Sequence, residues 1–141
     1  MADNKQIVRA IEEAWDRGDL DALDQHFAPD FVARSAVPGM PPGLQGAKLA
    51  HQGAIQAFPD RHVAIEEIIG EGDTVAVRCR MSGTNQGGLP WLGVPANGRA
   101  VDIEWISIYR LSGGRVVEHR AVMDLLGLMQ QLGALPAPAT A

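Results

Sequence analysis

The sequence predicts an α+β domain in which N-terminal helices pack on one face of a curved antiparallel sheet and enclose a cone-shaped pocket. Three observations carry that prediction. Apolar residues recur at helical spacing near the N-terminus, the second half of the chain alternates apolar and polar residues in β-branched runs, and glycine-rich turns punctuate those runs. With 141 residues and 46% hydrophobic composition, the chain is long enough to bury one core. A single domain is expected over residues 1–133, followed by a Pro/Ala-rich flexible tail over 134–141.

Taken in order, Ile7, Val8, Ile11, Ala14 and Trp15 mark one face of a first helix, which Asp3 or Asn4 can cap and Gly18 ends. Asp19 can cap a second short helix, with Leu20, Leu23 and Phe27 facing inward before Pro29. Residues 31–34, FVAR, read as a short first strand. The Pro/Gly-rich stretch 37–43 cannot be helix or interior strand and suits a pocket rim or lid. A third helix is expected over 44–58, ended by Pro59, then a strand over 62–69, a Gly-Glu-Gly-Asp turn and a strand over 74–82. In that strand Val75, Val77, Cys79 and Met81 share one face, while Arg78 and Arg80 on the other can meet Asp102 and Glu104. The loop 83–98 carries Leu89, Trp91, Leu92 and Val94 and could cover a pocket.

Residues 99–133 hold the chemistry. Strand 101–110 and strand 115–122, joined by Ser112-Gly113-Gly114, form a hairpin, and a helical segment follows. Alternation puts Val101, Ile103, Trp105, Ser107 and Tyr109 on one face, opposite Val117, His119 and Ala121 of the partner strand. One imidazole and one hydroxyl then sit in an apolar concavity. An imidazole ordinarily titrates near neutral pH, so His119 is expected to abstract a proton α to a carbonyl while Ser107 or Tyr109 hydrogen-bonds the enolate oxygen; an inward histidine can equally be a satisfied core residue. Asp124 could orient His119 or act itself, or it could cap the helix LLGLMQQL. Trp105 offers a flat surface to a ligand. Cys79 and Met81 read as core, and His26, His51 and His62, without metal-ligand spacing, read as surface or capping residues.

Several function classes are excluded. A net charge of −5 with no basic cluster argues against nucleic acid and anionic membranes, and no apolar run reaches the ~18 residues of a span. The N-terminus lacks a signal-like apolar core, and one cysteine permits no internal disulfide, so a cytoplasmic location is expected. No Rossmann glycine pattern, P-loop or HExxH motif occurs.

Four segments, IVRAIEEAWDRGDLDALDQHFAPDFV, AFPDRHVAIEEIIGEGDTVAVRCRMSGTNQG, LGVPANGRAVDIEWISIYRLSGGRVVEHR and DLLGLMQQLG, together resemble the SnoaL-like polyketide cyclases of the NTF2-like superfold. The resemblance implies an NTF2-like cone and an intramolecular aldol closure of a polyketide intermediate, with no metal or organic cofactor. It also places the family's acid/base aspartate at Ala121, a His or Asp pocket position at Ser107, a Gln position at Trp105 and an Asn position at Ala33. Arg34 falls where relatives often carry a polar residue at the cavity mouth, where it could hold an anionic group or simply be solvated. The limonene-epoxide-hydrolase branch needs an aspartate at the Ala121 position too, which argues against its mechanism.

The combined reading is a cofactor-independent cyclase or isomerase acting on a hydrophobic, polyketide-like small molecule. His119 and Asp124 are its catalytic candidates, and Trp105, Ser107, Tyr109, Ala121, Arg34 and Trp91 its ligand-contacting ones. The alternatives are a small-molecule-binding protein that lost the catalytic aspartate and an accessory protein working through its exposed sheet. The outer face, with Arg78, Arg80, Asp102, Glu104, Arg110, Glu118 and Arg120 around Ile106, Ile108, Val116 and Val122, reads as a cross-strand ion-pair ladder or a homodimer interface.

Overall fold

A computed structural model describes residues 3–34 and 40–136. Part of the expected rim 37–43 and most of the expected tail 134–141 fall outside the described residues. The elements follow the order α1 (Asn4–Arg17), a 3₁₀ turn (Asp21–Gln25), β1 (Phe27–Ala33), α2 (Leu44–Ala57), β2 (His62–Glu71), β3 (Thr74–Thr84), β4 (Ala100–Ser112), β5 (Arg115–Met123) and α3 (Leu125–Gln131).

Helix α1 starts where local chemistry says it should. The Asp3 carboxylate accepts from the Gln6 amide at 2.8 Å while the Gln6 side chain accepts from the Asp3 amide at 3.1 Å, a reciprocal capping box. Gly18 ends the helix in the left-handed conformation, φ 72°. The Asp19 carboxylate then accepts from Ala22 N, starting the 3₁₀ turn. Arg61 donates to the Trp15 and Asp16 carbonyls at the end of α1, tying it to the start of β2.

The five strands form one sheet in the order β1-β5-β4-β3-β2. The β2-β3 and β4-β5 hairpins and the β3-β4 pair are antiparallel, as the sequence predicts. Strand β1 differs: it starts four residues earlier than expected and pairs parallel to β5 at the sheet edge, so the sheet is mixed. Pro29 is tolerated there because an edge strand can forgo a ladder hydrogen bond, and the register shifts between Phe27 and Val32. Phe27 and Phe31, four residues apart on one face of the strand, are both buried, their rings edge to face at 4.8 Å.

Two further bulges curve the sheet, one between Ile65 and Glu67 of β2 and one across Arg110 and Leu111 of β4. The second corrects the expected pairing. Arg110 opposes Glu118 but Leu111 opposes Val116, so Val117 is the extra residue and Val116, expected on the outer face, is fully buried.

The core has two parts. Around the inner ends of α1 and β1, Val8, Ile11, Trp15, Phe27, Phe31, Val77 and Tyr109 pack together. At the other end Phe58, Met81, Leu89, Val94, Ile103, Leu128 and Leu132 form a second cluster, and Trp105 bridges the two. The loop 83–98, expected to cover a pocket, instead plugs this second cluster with Leu89 and Val94. Buried Asn85 organises it by donating to the Pro95 carbonyl at 3.0 Å and accepting from Gly88 N at 2.9 Å.

Candidate active site

A cavity of about 110 Å³ lies between α1, β1, α2 and the sheet. Trp15, Phe27, Phe31 and Ala33 supply apolar walls, Met40 and Pro41 the rim, Ala47, Ala50 and His51 the α2 side, and Tyr109 and His119 the floor. The floor follows from register: Ala33, His119, Tyr109 and Val75 are successive cross-strand partners along one row of the sheet. A close approach of the rim to α2 shapes the other wall. A Cβ at Gly46 would lie 1.7 Å from the Pro41 carbonyl oxygen, so only glycine allows that contact.

His119 is held from several sides. Its carbonyl accepts from Arg34 N at 2.8 Å, and its ring lies 4.5 Å from the Tyr109 ring, tilted by 32°. Its Nε2 is a buried side-chain nitrogen without a hydrogen-bond partner among the described residues. Desolvation lowers its pKa from 6.5 to about 4, so the imidazole is neutral at pH 7.

Tyr109 is not free to act as expected. Its hydroxyl donates to Glu12 Oε1 at 2.6 Å, and a phenol has one proton to give. Glu12, only 2% exposed, is the buried carboxylate of α1. Burial raises its pKa from 4.5 to about 7, against the opposing pull of hydrogen bonds from Tyr109 and Cys79. Burial and the Glu12 carboxylate likewise push the Tyr109 hydroxyl and the Cys79 thiol upward.

His51 corrects the surface or capping reading. It lies flat on Trp15, ring centroids 3.4 Å apart and planes within 4°, and lines the cavity. Desolvation, with the neighbouring His119 and Arg61 charges, lowers its pKa to about 3. His26 is partly buried and His62 is exposed beside Asp16, 3.6 Å away.

The other expected site residues separate. Ser107 is buried and pairs with Ala121, and both lie with Trp105 further along the inner face toward the second cluster. Asp124 is the N-cap of α3, accepting from Gly127 N at 2.9 Å on the outside of the protein. Arg34 points to the outer surface, where it joins Arg110 and Arg120 around Glu118. Trp91 is 50% exposed on the 83–98 loop. Cys79 and Met81 are core residues, as expected. Glu12 and His51 are the functional candidates that sequence reasoning missed. A signal existed for Glu12: it shares the helical face of Val8, Ile11 and Trp15. His51 likewise follows Ala47 and Ala50 at helical spacing. Among the described residues, no three His, Cys, Asp or Glu side chains come together to hold a metal ion.

A curved sheet closed by helices over an apolar cavity with inward imidazoles defines a small-molecule site of the cone-shaped α+β kind. The sequence pattern of the SnoaL-like polyketide cyclases matches residues 5–132, and the chain belongs to that family. It is 27% identical over 136 residues to aklanonic acid methyl ester cyclase DnrD of Streptomyces peucetius, covering 94% of this chain and 92% of the relative. Among solved structures, TsrD from Streptomyces laurentii superposes with a TM-score of 0.83 at 31% identity, over 92% of this chain and 94% of TsrD. IdmH from Streptomyces antibioticus, described as a candidate polyketide cyclase, gives 0.81 at 30% identity, over 94% and 99%. These likenesses establish the NTF2-like fold. Among the described residues no helix is long and apolar enough to cross a membrane.

Proposed function

We propose that the protein is a cyclase or isomerase that works without a cofactor on a polyketide-like or other hydrophobic small molecule, with His119 as its acid/base group. The observation that carries this reading is the unpartnered Nε2 of His119 in a cavity walled by aromatic and aliphatic side chains. A buried nitrogen left without a partner costs about 1–3 kcal/mol, and a bound substrate would supply the partner. The cavity suits the reacting end of such a molecule, with the remainder leaving past Met40 and Pro41.

In the proposed reaction, neutral His119 takes a proton from carbon α to a carbonyl, and the C–H electron pair moves onto the carbonyl oxygen as an enolate. The enolate carbon bonds to a second carbonyl carbon, and the new alkoxide takes the proton back from the imidazolium, so the step balances within the substrate. A pKa of about 4 describes the empty site. Imidazolium and enolate form together as an ion pair in a dry cavity, and their attraction offsets much of the desolvation that lowers that value. The Tyr109 hydroxyl already donates its hydrogen bond to Glu12, so the N–H of neutral His51 on the α2 side is the available donor to the developing oxyanion.

Two relatives are named aklanonic acid methyl ester cyclases, which makes that compound the first probe. Ring-closed product should form with the wild-type protein and fall by at least 100-fold in His119→Ala, the usual reach of a general base. Unchanged turnover in the variant would end this assignment. Ala121, where the resembled family places its acid/base aspartate, favours a second reading, a binder that holds the molecule without changing it; stoichiometric capture with no product supports that one. We also propose that the outer sheet face, with Ile106 at 50%, Ile108 at 46% and Val122 at 77% exposure, joins two copies. A monomer by light scattering at working concentration would contradict it.

A further inference from the structure

Glu12 is a buried acid without an obvious structural reason. It is the buried carboxylate among the described residues, and the neighbours that hydrogen-bond it, Tyr109 and Cys79, are neutral. Burying an acid without a cation is costly, and an apolar residue would fill the same place on the Val8/Ile11/Trp15 face at lower free energy. Its position is informative. The Tyr109 hydroxyl that donates to it at 2.6 Å belongs to the ring against which His119 rests at 4.5 Å. Trp15, which also hydrogen-bonds Tyr109, carries the stacked His51 ring. Both cavity imidazoles therefore lean on aromatic rings that meet at the Tyr109 hydroxyl, the group that bonds Glu12.

We propose that Glu12 is a positioning residue: acting through Tyr109, its carboxylate stabilises the imidazolium that His119 becomes when it takes a substrate proton. A cation within about 6 Å of an aromatic centroid is attracted by the ring's electron-rich face. Drawing the phenolic proton toward a carboxylate makes that ring richer in electrons, so the attraction grows as charge develops on His119. The proton itself moves only between substrate carbon, His119 Nε2 and the new alkoxide. This role rests on the reading of His119 as the base, but the coupling can be read without any substrate.

The test is a titration of the unliganded protein with ¹⁵N-labelled histidine, following the His119 ring signals from pH 5 to 9 by NMR. Glu12 faces Tyr109 of β4 and Cys79 of β3, and His119 faces Tyr109 and His51 of α2. Of these groups only Glu12 ionises near neutrality, at about 7, whereas His51 and His119 fall far below and Tyr109 and Cys79 lie above. The wild-type His119 signals should move with a midpoint near 7. That inflection should vanish in Glu12→Gln and in Tyr109→Phe, and a thermal melt of each variant checks folding. Flat His119 signals in wild type, or an inflection that survives Glu12→Gln, would overturn the proposal. With a turned-over substrate, Glu12→Gln should lower kcat by about tenfold at unchanged KM, and its effect should not add to that of Tyr109→Phe; unchanged kcat would overturn it as well. Absence of turnover in wild type contradicts the proposed function and leaves the titration to decide the coupling.

Discussion

Glu12→Gln should stabilise the protein at neutral pH by an amount that grows with pH. The folded-state pKa of Glu12 is raised from 4.5 to about 7. Below pH 4.5 the side chain is protonated in both folded and unfolded chains, so its favourable contribution is fully present. Between pH 4.5 and about 7 the unfolded chain gives up the proton while the folded protein keeps it, so stability falls as pH rises. Above about 7 both are ionised and the loss is complete. A gap of 7 − 4.5 corresponds to about 3 kcal/mol. Glutamine does not titrate. The difference in unfolding free energy, variant minus wild type, should therefore rise by about 3 kcal/mol from pH 4.5 to 8 and then level off. Urea denaturation of both proteins across that range measures it, and the subtraction cancels the histidines. A flat difference, or one that falls with pH, would refute the claim that Glu12 is a desolvated acid.

Other expectations follow from the same geometry. His51 and His119 have folded pKa values lowered from 6.5 to about 3 and about 4, so their contribution is present above 6.5 and is lost as pH falls toward 4; His51→Asn with His119→Asn should flatten the acid limb of the stability curve, and an unchanged limb would contradict their burial. Gly46→Ala sets a Cβ 1.7 Å from the Pro41 oxygen and should cost about 1–3 kcal/mol while displacing the cavity rim, measured by denaturation and by weakened ligand binding. Asp124→Ala should cost about 1 kcal/mol as a lost helix cap with turnover unchanged, and a large loss of turnover would restore Asp124 to the site.

Period and register carried the parts of the fold that were legible in the sequence. Alternation along β4 put Tyr109 and Ser107 inside and Asp102 and Glu104 outside, and the expected pairs formed, Arg78–Glu104 at 2.8 Å and Arg80–Asp102 at 2.7 Å. Three things resisted reading. Pro29 hid the start of β1, because a parallel edge strand tolerates a residue that would exclude an interior one. A bulge exchanged the roles of Val116 and Val117, and one extra residue is invisible to strict alternation. The polar half of the site depended on partners distant in sequence. Glu12 is buried because Tyr109, 97 positions away, supplies its hydrogen bond, and His51 turns into the cavity wall because Trp15 offers a flat face. For the same reason Trp91 and Arg34 moved outward: the loop 83–98 is folded on itself by Asn85 and anchored in the second cluster by Leu89 and Val94, and Glu118 gathers the arginines on the outer surface.

The most direct measurement is proton abstraction by His119. A β-keto ester of polyketide type would be incubated with the protein in D₂O, and deuterium entering the carbon between its carbonyls followed by mass spectrometry. Exchange well above the buffer rate is expected with wild-type protein, with a fall to near that rate in His119→Ala. Equal exchange by both proteins would contradict it, because the base would then lie elsewhere or be solvent alone.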